Sequence, residues 1–88
     1  MLSKTVTVVN AEGLHMRPAG ALAKAAAAYK ETKITLNANS KAVNAKAVMQ
    51  IMAAGMKKGT EVEIVCDGPD ENAALDEIAA MFESGFGE

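Results

Sequence analysis

The sequence predicts an α+β fold of two layers, with helices laid over one face of a sheet. Three observations predict it. Short stretches such as Thr5-Val6-Thr7-Val8 alternate apolar and polar residues, the two-residue period of a half-buried strand. Longer stretches following Met16, Ala47 and Asp70 repeat apolar residues at helical spacing. Each strand-like stretch has a single apolar face, so the sheet is covered on one side only. The order along the chain reads β-α-β-β-α-β-α.

The first strand is expected over Lys4–Val9, with Val6 and Val8 inward and Thr5 and Thr7 on the other face. Asn10 to Gly13 forms a loop. The first helix spans about Met16–Tyr29. Pro18 lacks an N–H and has a fixed φ, so it belongs in the first turn. Ala19, Leu22, Ala23, Ala26 and Tyr29 make its buried stripe, and their mostly small size lets the helix sit close to the sheet. Lys24 and Lys30 read as solvated. A short turn, Lys30-Glu31-Thr32, leads into a strand at Lys33–Asn37 with Ile34 and Leu36 inward. Asn39-Ser40 is a hairpin turn, followed by a strand at Lys41–Asn44. So short a connection makes the pair antiparallel.

The second helix runs from about Ala47 to Ala54, and Gly55 stops it. Val48, Met49, Ile51 and Met52 are too many apolar residues for one stripe on so short a helix. Either all four enter the core, or Val48 and Ile51 do so and Met49 and Met52 face outward; spacing alone leaves both open. Lys57-Lys58-Gly59 is a turn whose lysines either are simply solvated or steer acidic partners. Glu61–Cys66 is a strand with Val62, Ile64 and Cys66 on one face, and Cys66 reads as a small core residue. Asp67-Gly68-Pro69-Asp70 breaks the chain, and Asp70 is placed to cap a third helix over Glu71–Glu83. Leu75, Ile78, Ala79 and Phe82 seal the core. Ser84 to Glu88 reads as a fraying end.

Size and composition bound the function. The 88 residues make one domain, 1–88, with a modest core. A net charge of −2 and only three aromatics (Tyr29, Phe82, Phe86) argue against a nucleic-acid binder. One cysteine allows no internal disulfide and suits a reducing compartment. Met1-Leu2-Ser3-Lys4 runs straight into a strand pattern, and no apolar run approaches a membrane span. A cytoplasmic protein with no membrane insertion is expected. One histidine and one cysteine, far apart in sequence, make a poor metal site, and no cofactor is implied.

The chemistry converges on His15, the only histidine. It falls at the junction between the first strand and a proline-started helix. A helix start carries donors that lack intrahelical acceptors and a partial positive charge, so it holds an anion well. A neutral imidazole is a nucleophile near pH 7. Together they suit a phosphoryl group carried on a ring nitrogen. Its charge would be met by the N–H groups of Met16 and Arg17 and by the Arg17 guanidinium. Pro18 serves indirectly, by setting the helix start.

Gly13-Leu14-His15-Met16-Arg17-Pro18-Ala19 resembles the active-site signature of the HPr family, the histidine phosphocarriers of the bacterial phosphoenolpyruvate–sugar phosphotransferase system. The resemblance extends to Asn44-Ala45-Lys46-Ala47-Val48-Met49 and to Lys58-Gly59-Thr60-Glu61-Val62. It implies a four-stranded antiparallel sheet with three helices on one side, an open-faced sandwich. It implies that enzyme I phosphorylates His15 and that His15 donates to enzyme IIA domains. Arg17 would neutralise the phosphoryl charge. Gly20, where alanine is common in the family, would let a partner approach. Val48, Met49 and Met52 would form the docking face, which favours the outward placement of the methionines. A monomer is expected.

Two departures stand out. Many HPr proteins carry a regulatory serine after a lysine at the start of the second helix; here the pair is Lys46-Ala47, and alanine offers no hydroxyl to a kinase. Met16 replaces a frequent alanine or threonine and enlarges the apolar rim. Rival readings are a carrier of a nitrogen branch, a regulatory binding module, and a phosphohydrolase or mutase. The last would need a second acid–base group, and Glu12 is the only carboxylate nearby in sequence.

Overall fold

The computed structural model describes residues 1–87. Seven main elements appear in the expected order: β1 (Leu2–Thr7), α1 (Met16–Ala27), β2 (Lys33–Ala38), β3 (Lys41–Asn44), α2 (Val48–Ala53), β4 (Glu61–Asp67) and α3 (Glu71–Glu83). A 3-10 turn over Gly85–Gly87 follows. The sheet order is β1-β4-β2-β3, and every pair is antiparallel. Leu2 therefore lies opposite Cys66, and Cys66 opposite Ile34, so residues far apart in sequence share one ladder.

The two-residue period decides which face is covered. Val6, Ile34, Leu36, Val43, Val62, Ile64 and Cys66 are buried, while Thr5, Thr7, Lys33, Asn37, Glu61 and Glu63 are exposed. The three helices cover the apolar face and contribute Leu22, Ile51, Ile78 and Phe82, each fully buried. Fully burying such a side chain contributes about 1.5–3 kcal/mol. Burial pushes the Cys66 thiol above its ordinary pKa, in keeping with a core role.

Several boundaries and roles differ from expectation. β1 starts at Leu2 and ends at Thr7, because beyond it Val8 pairs with the turn before β4: its N–H donates to Thr60 and its carbonyl accepts from Gly59. Val8 is nonetheless core. α1 ends at Ala27, since Ala28 and Tyr29 tighten onto the carbonyls three residues back. Tyr29 is only part-buried and its hydroxyl donates to Glu77 of α3. α2 is a residue shorter at each end, with Ala47 and Ala54 as its caps. In α3 the fully covered position is Ala74, while Leu75 is part-buried.

Two expectations are overturned. The Asp70 side chain does not cap α3. The Asp70 N–H donates instead to the Thr32 hydroxyl at 3.1 Å, and the Glu71 carboxylate accepts the Gly68 N–H at 3.2 Å. The stretch from Ser84 to Gly87 does not fray. Gly85 is buried, its carbonyl accepts from Asn10 Nδ2 at 2.8 Å, and the Phe86 ring meets Phe82 edge-on with centroids 4.9 Å apart. Glu88 lies outside the described residues.

Candidate functional site

The site begins in a loop that glycine makes possible. Gly13 has φ +70, and a Cβ there would collide with the Met56 carbonyl oxygen and lie 3.0 Å from Lys57 Cα. That close approach lets the Leu14 N–H donate to the Met56 carbonyl at 2.9 Å, while the Gly13 N–H donates to Asn10 at 3.0 Å. Leu14 is buried and anchors the loop to the core. His15 follows in an extended conformation, φ −77 and ψ −168, as the N-cap residue of α1. Its carbonyl accepts from Ala19 N–H at 3.0 Å, which closes the first turn.

The His15 ring is not spent on capping the helix, and the first turn contains no acidic residue. His15 and Arg17 are exposed, and Met16 is 69 % exposed. Pro18 is fully buried, so it wedges the helix start against the core. The Met16 and Arg17 N–H groups lie in the first turn, where the acceptors four residues back fall outside the helix. The helix dipole adds positive potential at this point. The helix start therefore brings His15 together with backbone donors, and Arg17 follows two residues on.

α2 packs beside α1. Ile51 is fully buried, Val48 and Met52 are part-buried against the core, and Met49 is 77 % exposed. The outward placement thus holds fully for Met49 alone. Met52 is shared between core and surface because a six-residue helix cannot turn two of its four apolar residues away from the core side entirely. Gly20 is half-buried on α1, and no atom outside its own helix and chain neighbours lies within 4 Å of where its Cβ would be. Side chains of the β2–β3 hairpin hold the end of α2: Asn39 Nδ2 donates to Ala54 and Gly55 at 3.0 and 3.2 Å, and Lys41 Nζ to Ala53 at 3.4 Å. Lys46 Nζ donates to the Tyr29 carbonyl at 2.7 Å and ties the start of α2 to the end of α1.

His15 lines a cavity of about 340 Å³ with Asn10, Glu12, Glu83, Ser84 and Gly85 among its walls. Sequence reasoning missed the contribution of the chain's end, since nothing local marks Gly85 as a partner of Asn10. A larger cavity of about 520 Å³ lies away from His15, between the turn after α1 and the β2–β3 pair.

A phosphorylation-site signature covers nearly all of this framework. Residues 2–84 match the family described as "PTS HPr component phosphorylation site". The chain belongs to the HPr family. It is 43 % identical over 88 residues to the phosphocarrier protein HPr of Treponema pallidum, covering all of this chain and 99 % of that one. Among solved structures, HPr of Thermoanaerobacter tengcongensis superposes with a TM-score of 0.94 at 35 % identity, covering 100 % of this chain and 98 % of that chain. A mycoplasma histidine-containing phosphocarrier protein superposes with a TM-score of 0.89 at 36 % identity, over 96 % of each chain. The open-faced sandwich implied by the signature is the fold observed. The family assignment makes the protein a phosphocarrier of the phosphotransferase system. Among the described residues, no helix is long and apolar enough to cross a membrane.

Proposed function

We propose that His15 accepts a phosphoryl group from phosphorylated enzyme I and donates it to sugar-specific enzyme IIA domains. The observation that carries this reading is the placement of an exposed histidine as N-cap of a helix whose first turn holds no acidic residue, in a chain matching a phosphorylation-site family. The His15 ring nitrogen is the nucleophile. Arg17 and the Met16 and Arg17 N–H groups receive the new charge, and Pro18 fixes the turn that presents them. Charge-assisted hydrogen bonds of this kind contribute about 1.5–3 kcal/mol each. That holds the phosphoryl group without making it a dead end.

Gly20, Val48, Met49 and Met52 form the docking face. A flexible thioether on an exposed helix adapts to several partners, and a small interface lets each partner leave quickly. The carrier works as a cytoplasmic monomer, without cofactor or metal. Serine-linked regulation is absent, because Ala47 has no hydroxyl.

The test is intact mass after incubation with enzyme I and phosphoenolpyruvate. One acid-labile phosphoryl group is expected, absent in His15→Ala, and passed on when an enzyme IIA domain is added. No added mass with an active enzyme I would overturn the reading and favour a regulatory module instead.

A further inference from the structure

The cavity beside His15 contains a charge that the carrier reading leaves without a role. Glu12 lines it together with His15 and Glu83. Glu83 is paired, with one carboxylate oxygen 3.4 Å from Lys4 Nζ. Glu12 takes part in none of the ion pairs among the described residues. It is also not free to swing far on its backbone. The next residue, Gly13, is pinned against Met56, and the loop is closed by the Gly13 N–H on Asn10. The backbone that carries this exposed carboxylate is thus held at the wall of the cavity that the phosphoryl group would share.

We infer that Glu12 sets the phosphoryl-transfer potential of the carrier by raising the energy of its phosphorylated form. The inference rests on the phosphocarrier reading of His15. In the transfer step the lone pair of a His15 ring nitrogen forms the new N–P bond. The donor–phosphorus bond breaks and leaves its electron pair on the donor, and the other ring nitrogen keeps its proton. The site gains negative charge, and the Glu12 carboxylate repels it. Arg17 and the helix start draw the phosphoryl group in, whereas Glu12 limits how long it is favoured there. Donation onward becomes correspondingly more favourable. The opposing charge distinguishes a carrier that must give up its load from a site that only binds an anion.

The experiment mixes the full chain with enzyme I, phosphoenolpyruvate and pyruvate, and reads the ratio of phosphorylated to free carrier at equilibrium by intact mass. Glu12→Gln is expected to raise that ratio about three- to tenfold at low salt, as removal of a like charge from the same cavity wall should. The difference should shrink toward unity near 1 M salt, where the screening length falls to about 3 Å. Glu12→Asp, which keeps the charge, should stay near the wild-type ratio. Equal ratios for wild type and Glu12→Gln at low salt would overturn the inference while leaving the carrier intact. So would a difference that salt does not diminish, since that would be an effect of shape. A wild-type chain that takes up no phosphoryl group would overturn the carrier reading, and this inference with it.

Discussion

Asn10 Nδ2 donates to the Gly85 carbonyl at 2.8 Å, joining the loop that presents His15 to the turn after the last helix. Asn10 is buried, and its Oδ1 has no hydrogen-bond partner among the described residues. Asn10→Ala leaves the Gly85 carbonyl without this donor, a loss of about 1–3 kcal/mol. Denaturant unfolding should show the loss. Native-state hydrogen exchange should show faster opening of Ser84 to Gly87 than of β2.

Gly13→Ala is expected to be more damaging than its size suggests. The residue sits at φ +70, and the added methyl meets backbone, which cannot rotate away. The left-handed conformation alone costs about 1–2 kcal/mol, and the clash adds to it. Stability from urea titration should fall by at least about 2 kcal/mol. Phosphoryl uptake should fall as well, since the same loop delivers His15.

Met49→Asp should separate docking from folding. At 77 % exposure the side chain adds little to the core, so unfolding should shift by no more than about 0.5 kcal/mol. If Met49 lies on the docking face, transfer from enzyme I should slow by about tenfold or more, because a charge replaces an apolar contact at an interface. Unchanged transfer would remove Met49 from that face.

Ala47 is the N-cap of α2, in the extended backbone conformation of a cap, and provides no side-chain acceptor. Ala47→Ser should stabilise the protein by about 0.5–1 kcal/mol, read as a rise in thermal midpoint. It would also supply the hydroxyl that serine-linked control requires. Phosphorylation of the variant by HPr kinase would show that the rest of the recognition surface is present.

The Tyr29 phenol is pushed up to about 12, first by its hydrogen bond to Glu77, then by desolvation and by nearby negative charge. A raised pKa in the folded state means that this contribution to stability is complete below about 10, the ordinary tyrosine value, and is lost as pH rises toward 12. Tyr29 is the only tyrosine and there is no tryptophan, so phenolate absorbance reports it alone. Glu77→Gln should move the titration midpoint down toward the ordinary value.

The sequence revealed most where the signal was local. α3 begins and ends where the Asp-Gly-Pro-Asp break and the helical spacing put it, and β3 matches at both ends. Asn39 and Ser40, at φ 52 and 64, make the expected hairpin turn. The strand–His–Arg–Pro junction placed His15 at the helix start directly from the order of residue types. What stayed hidden depended on distant partners. Asp70 reads as a cap until Thr32, far back in the chain, turns out to take its N–H. Ser84 to Gly87 reads as a loose end until Asn10 reaches it. Met52 shows the limit of periodicity on short helices, where neither face wins outright.

The pairing of the edge strand β1 with β4 also sets a schedule. Leu2 has no ladder partner until Cys66 exists, and the Asn10 side chain no acceptor until Gly85 does. Such non-local pairings close large loops before they are rewarded, and they slow folding. During synthesis the segment bearing His15 therefore precedes the strand that pairs with β1, and residues made much later, Glu83 to Gly85, complete the cavity it lines. A chain cut before Glu83 would carry the histidine without that wall of the cavity.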